Sequence, residues 1–171
     1  MRVRSEQSAD HEAIGSVHTA SFSTAGEAEL VDALRAARRL CVSLVAEENG
    51  EIIGHIACSP VSVLGAADGV GLAPLAVLPA FRRHGVGEQL VRRGLAECER
   101  LRHGFVVILG APRYYRRFGF TPAYQWGLCD EYRGGEAFQV VELRPGAIPR
   151  DAGIVRYAPE FAVLGGGDAA S

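Results

Sequence analysis

The sequence predicts an α+β (mixed α/β) domain with a mostly antiparallel sheet that contains one parallel strand pair. Three observations carry this. Asn49-Gly50 sits between two apolar runs, Val42 to Ala46 and Ile52 to Cys58, and both residues tolerate the positive φ of a tight hairpin turn. Val86, Leu90, Val91, Leu95, Cys98 and Leu101 form an apolar stripe at helical spacing. That helix lies between two strand-like runs, Gly71 to Leu78 and Phe105 to Leu109, and a strand-helix-strand order implies a crossover and a parallel pair.

The remaining elements follow from local signals. Arg2 to Arg4 reads as a first strand. Ser8 is the expected N-cap of a helix, with Asp10 and Glu12 in its first turn and Ile14, Val17 and Phe22 on its apolar face. A second helix is expected from Glu27 to Arg39, with Leu30, Leu34 and Ala37 inward and Arg35, Arg38 and Arg39 outward. Ser59-Pro60 should interrupt or bend the returning hairpin strand, which Val61 to Leu64 would continue before a small-residue loop at 65–71. Pro74 lies inside the next strand, where it removes a ladder donor and predicts a bulge or an edge. Pro112 to Phe118 reads as a short helix stopped by Gly119. Phe138 to Leu143 is a further strand, and Ile154 to Tyr157 extends or covers the sheet. A single domain over 1–164 and a frayed glycine-rich tail over 165–171 are expected.

Composition narrows the function classes. Of 171 residues, 48% are hydrophobic and 22% charged, which suits one globular domain. A net charge of −2 argues against a nucleic-acid partner. The N-terminus has no signal-peptide core, and no apolar run is long enough to cross a bilayer, so no membrane role is expected. Cys41, Cys58, Cys98 and Cys129 have no zinc-ligand spacing, so no metal is expected; Cys41, Cys58 and Cys98 sit in apolar surroundings and read as buried thiols in a reducing, cytoplasmic setting.

The sharpest motif is Arg82-Arg83-His84-Gly85-Val86-Gly87, which follows a strand and opens a helix. A helix start offers unpaired N–H groups and a positive dipole end, glycine permits close approach, and the arginines add positive potential. A pyrophosphate site is the physical expectation. Glu88-Gln89 stand where a Walker A loop needs Lys-Ser/Thr, and Leu90 stands where a dinucleotide-binding fingerprint needs a third glycine. A glycine-rich helix start with solvated arginines is the alternative for this motif alone.

Leu75-Ala76-Val77-Leu78-Pro79 followed by Arg82-x-x-Gly85-x-Gly87, with Tyr115-Arg116-Arg117-Phe118-Gly119-Phe120 downstream, resembles the acetyl-CoA and second motifs of the GNAT superfamily of acetyltransferases. Gly54-His55-Ile56-Ala57-Cys58-Ser59-Pro60, Pro74 to Val77 and Tyr114 to Phe120 resemble its YhbS-like branch of N-acetyltransferases, and the similarity covers nearly the whole chain. One departure is Ala111, where relatives often carry an acid.

The resemblance implies a GNAT-like fold: a central twisted sheet with a splayed parallel pair and helices on both faces. It implies acetyl-CoA as co-substrate and transfer of its acetyl group to a primary amine by direct attack in a ternary complex. Backbone groups of Leu75, Ala76 and Val77 would hold the pantetheine arm, with an N–H near Val77 as oxyanion donor. Amides and side chains of Arg82, Arg83, His84, Gly85, Val86 and Gly87 would hold the pyrophosphate, and Tyr115 would be the general acid. Glu27 and Glu29 lie on the helix that often walls the acceptor site. Trp126, Asp130, Glu131 and Tyr132 lie in a second expected wall, and aromatics beside acids suit a cationic amine. His55, facing cleft or core, is a weaker candidate base. Arg113, Arg116 and Arg117 are candidates for the CoA 3′-phosphate, with solvation the stronger expectation. Many relatives are homodimers, and nothing in the sequence fixes this. A non-catalytic acyl-CoA-binding or regulatory module is the competing function.

Overall fold

In a computed structural model, which describes residues 1–64, 68–149 and 153–165, the expected hairpin lies near the middle of the sheet. The chain runs β1 (Arg2–Ser5), α1 (His11–Ser21), α2 (Gly26–Ala36), β2 (Val42–Glu48), β3 (Glu51–Pro60), β4 (Gly69–Val77) and α3 (Val86–Arg100). It continues with β5 (Phe105–Leu109), α4 (Pro112–Tyr115), β6 (Thr121–Pro122), β7 (Leu128–Asp130), β8 (Phe138–Glu142) and β9 (Gly153–Val155). The main sheet has the order β1-β2-β3-β4-β5-β8-β6, and only β4 and β5 run parallel. A separate ribbon pairs β7 with β9, also in parallel.

Local chemistry explains the frame. Asn49 and Gly50 have φ of 51° and 84°, the doubly positive pair that a two-residue hairpin turn requires. Side chains alternate across the sheet. Val42, Leu44 and Ala46 of β2 pack with Val86, Leu90, Val91 and Cys98 of α3, while Val45 packs with Ile14 and Val17 of α1. On β5, Val106 and Ile108 face the α3 side, and Phe105 and Val107 join Leu30 and Leu34 of α2 on the other. β3 is therefore covered on both faces and buried from Ile52 to Ser59.

Several local expectations are corrected. Ser8 is not the cap; the Asp10 carboxylate accepts the Gln7 N–H at 2.7 Å and is held by Arg4 at 2.7 and 3.0 Å. Ala37 lies past the end of α2 and is exposed. Pro60 ends β3 without breaking it, opposite Val70, so the strand after the loop starts at Gly69, two residues early. Of the two readings of the segment after 153, covering holds and extending does not: residues 153–155 pair with β7 beside the central sheet, and Val155 and Tyr157 pack with Phe105, Val107 and Val140. Of the expected tail only Gly165 is among the described residues.

β4 carries the irregularity that Pro74 predicts. Ile56 pairs with Leu75 and Cys58 with Leu72, so two steps on β3 oppose three on β4. The extra residue falls at Ala73-Pro74, whose peptide bond is cis. The parallel ladder holds only Gly69 to Gly71 against Phe105 to Val107. Past Gly71, β4 and β5 part, and among the described residues no strand pairs with that edge of β4.

Candidate active site

The parted strands leave backbone groups facing a gap. Leu78 N–H donates to Ile53 C=O at 2.9 Å, so at this residue the backbone turns toward β3. N–H and C=O groups alternate sides along an antiparallel strand. Ala76 therefore turns to β3, opposite His55, whereas Leu75 and Val77 turn to the gap. The Val77 carbonyl accepts from Ser21 Oγ at 3.1 Å and Arg82 Nε at 3.2 Å, and Arg82 also donates to Ser21 C=O at 3.0 Å. Arg82 thus ties the end of α1 to the end of β4, and the N–H groups of Leu75 and Val77 remain directed into the gap.

The loop after β4 turns sharply into α3. Arg83 has φ of 62° and Gly85 of 79°, left-handed conformations in which a side chain at 85 would be strained. α3 starts at Val86, so the amides around Gly87 lack helical partners and lie at the positive end of a 15-residue helix. A Cβ at Gly87 would stand 2.9 Å from the Tyr114 hydroxyl. Arg82, Arg83, Gly85 and Gly87 line a cavity of about 1070 Å³ that continues along Leu75, Ala76 and Val77. His84 is exposed and off this wall, and the Val86 side chain is buried in the core, leaving only its amide near the site.

The two tyrosines of α4 diverge, with rings 4.9 Å apart at 90°. Tyr114 faces the large cavity beneath Arg117, whose guanidinium lies 4.8 Å from the ring centre. Tyr115 lines a smaller cavity of about 130 Å³ between Leu75 and Leu109. Burial, with a smaller contribution from Tyr114, pushes the Tyr115 hydroxyl well above its ordinary pKa, so it is a protonated donor at neutral pH. The ring sits against Gly110, where an added Cβ would meet it at 2.4 Å. Ala111 precedes α4 without a side-chain cap; its carbonyl accepts from the Tyr114 and Tyr115 amides.

Phe22, Glu27, Leu75 and Leu164 line both cavities and mark where they meet. Glu27 is half-buried, and its Oε2 is buried without a hydrogen-bond partner among the described residues. Glu29 is exposed on the outer side of α2 and lines neither cavity. Trp126 also lines neither; its indole N–H donates to Thr121 Oγ1 at 3.0 Å. Asp130 caps its own loop through the Tyr132 and Gly134 amides at 3.1 and 2.8 Å, and Glu131 accepts from the Tyr157 amide. Of that expected wall only Tyr132 reaches the cavity. Arg113 and Arg116 are exposed and off both cavities, whereas Arg117 lines the large one. His55 faces the core, where it bonds His18 and Ser43.

Sequence reasoning missed Phe22 as a wall residue, and also Tyr157, Phe161 and Leu164, which arrive from the C-terminal segment. The only prior signal was the aromatic spacing of Tyr157 and Phe161. No cluster that could hold a metal, and no helix long and apolar enough to cross a membrane, occurs among the described residues.

Residues 7–120 match the model of the acetyltransferase (GNAT) family. The chain is 39% identical over 164 residues to the uncharacterized N-acetyltransferase YhbS of Escherichia coli K12, spanning 94% of this chain and 98% of the relative. The crystal structure of YhbS from Escherichia coli in complex with CoA superposes with a TM-score of 0.89 at 38% identity, over 94% of this chain and 91% of that one. A GNAT family acetyltransferase from Brucella melitensis in complex with acetyl-CoA gives 0.79 at 40% identity, over 94% and 97%.

Proposed function

The chain belongs to the GNAT family of acetyltransferases, and from that premise we propose that it moves the acetyl group of acetyl-CoA to a primary amine by direct attack in a ternary complex. One observation carries the assignment: past Gly71 no strand among the described residues pairs with β4 on that side, and this edge leads from the large cavity at Val77 to Leu75, where the two cavities meet beside the Tyr115 cavity. An extended arm with amides would complete that edge as a strand does.

In this scheme the amides from Arg83 to Gly87 and the Arg82 and Arg83 side chains hold the pyrophosphate. The Leu75 and Val77 N–H groups pair with the pantetheine and the thioester carbonyl. The Val77 N–H stabilises the oxyanion once the carbonyl carbon becomes tetrahedral. An alkylamine has a pKa near about 10.4, so it sheds a proton to solvent before attack. Its nitrogen then forms the C–N bond, and the C–S bond breaks. Tyr115 gives its proton to the departing sulfur, and the surplus N–H proton of the intermediate restores the tyrosine through water. The products are the amide and the free thiol of CoA. Glu27 stands beside the acceptor; Glu29 and Trp126 have no part.

Calorimetric titration of acetyl-CoA tests the first half. Wild type should bind, and Gly85→Glu, which places a carboxylate at the helix start, should not. Tyr115→Phe should keep its affinity for acetyl-CoA within about twofold while kcat falls by about 100-fold or more. A wild type that fails to bind would overturn the assignment.

A further inference from the structure

The two cavities differ in charge. Arg82, Arg83 and Arg117 stand on the wall of the large one, with Glu88. The small one is walled by Phe22, Leu72, Leu109, Tyr132 and Phe161, and among the described residues that line it Glu27 is the sole Asp, Glu, Lys, Arg or His. Two of its lining residues, Glu27 and Tyr157, each carry a side-chain oxygen, Glu27 Oε2 and the Tyr157 hydroxyl, that is buried with no partner among the described residues. Burial, followed by the nearby Asp130, Tyr132 and Glu131, raises the Tyr157 pKa and keeps it a neutral phenol.

A buried carboxylate oxygen without a donor is costly, and so is a buried hydroxyl. A primary ammonium brings three N–H donors. It also suits the aromatic wall, where Tyr132, Tyr157 and Phe161 follow one another with ring centres 5.9 and 4.9 Å apart. The volume, about 130 Å³, is slightly less than the roughly 150 Å³ that encloses benzene, and so matches a body of about that size.

Resting on the acetyl-transfer assignment, we propose that the small cavity is the acceptor pocket and that it takes a compact monoamine. Its single ammonium is held by Glu27, on an uncharged body no larger than a phenyl ring or a short alkyl chain. Glu27 belongs to both cavities, so an amine held there lies beside Leu75 and next to the gap where the thioester would sit. One proton leaves to water before attack, as in the general scheme. A second ammonium on the same molecule would be pressed against an apolar wall with no further carboxylate among the described lining residues to meet it.

The test measures CoA release with benzylamine, butylamine, 1,4-diaminobutane and spermidine as acceptors, for wild type and Glu27→Gln. The two monoamines should show kcat/KM about 10-fold or more above the two polyamines. Glu27→Gln should raise the KM for benzylamine by about 10-fold or more, with acetyl-CoA affinity by titration within about twofold of wild type. Retained affinity also shows that the variant is folded. The pocket assignment alone is overturned if the protein binds acetyl-CoA but prefers spermidine, acetylates none of the four amines, or shows no change in KM on Glu27→Gln. A wild type that does not bind acetyl-CoA removes the acetyl-transfer assignment itself, and this one with it.

Discussion

At the scale of single residues, His55 shows how a buried chain of hydrogen bonds fixes its own polarity. Burial opposes the charge on Glu6, but the nearby His55 and hydrogen bonds from Arg35 and Ser43 outweigh it and hold the carboxyl well below its usual range. The ionised Glu6 can only accept, so Ser43 gives it its one proton, at 2.5 Å. His55 Nε2 must then donate to Ser43, at 2.8 Å, and His55 Nδ1 accepts from His18 Nε2 at 2.9 Å. His18 Nδ1 is left as a bare lone pair, buried and without a partner among the described residues. Burial, then the charges of His55 and Arg35, pushes the His18 pKa down to about 3, and burial lowers that of His55. Both rings stay neutral in the fold, whereas an unfolded imidazole gains a proton below about 6.5. Stability is therefore full above about pH 6.5 and falls as pH drops from there toward 3. Urea unfolding at pH 5.5 should give a stability about 1–3 kcal/mol below that at pH 7.5. None of this chain was visible in the sequence, because Glu6, His18, Ser43 and His55 meet only after β1, α1, β2 and β3 have packed. The opposite holds for Gly85: a glycine at a helix start before an apolar stripe was a local signal.

At the scale of elements, β4 was legible in detail because proline cannot pair; the bulge lies at Pro74, and the ladder to β5 stops just before it. The short elements were hardly legible: β6 and β7 span two or three residues, too few for any period to register, and three-residue β9 was read only as a segment that extends or covers the sheet. Trp126 and Glu29 were misplaced for a related reason. An aromatic or an acid near a site in sequence says nothing about which side of a short turn or helix it occupies. The turn between β5 and α4 makes a sharp prediction, because Gly110 leaves room for the Tyr115 ring. Gly110→Ala should displace that ring, lowering thermal stability by about 1–3 kcal/mol and reducing acetyl transfer, with acetyl-CoA binding retained. Melting curves and initial rates on the same preparation check both.

At the scale of the whole molecule, the smaller cavity is closed by distant parts of the chain. The residue just past α1 is Phe22, α2 supplies Glu27, β4 and β5 supply Leu72 and Leu109, and the C-terminal 3-10 segment Pro159–Leu164 supplies Phe161 and Leu164. Arg39 holds that segment to the end of α2 through Glu160 at 3.0 Å. Phe161 is 5% exposed and belongs to the core on that face, so Phe161→Ala should cost about 3–5 kcal/mol in urea unfolding. The same substitution should weaken amine binding more than acetyl-CoA binding.

The parting of β4 from β5 has a thermodynamic corollary. The free protein is a sheet with missing rungs, and the proposed pantetheine arm is shaped to supply them. The co-substrate then counts as a detachable piece of secondary structure, and occupancy becomes a term in folding. At a concentration 100 times its dissociation constant it should add about 2.7 kcal/mol of stability. In a cell, the level of acetyl-CoA would thus help set how long each copy of the enzyme survives unfolding, quite apart from how fast it turns over.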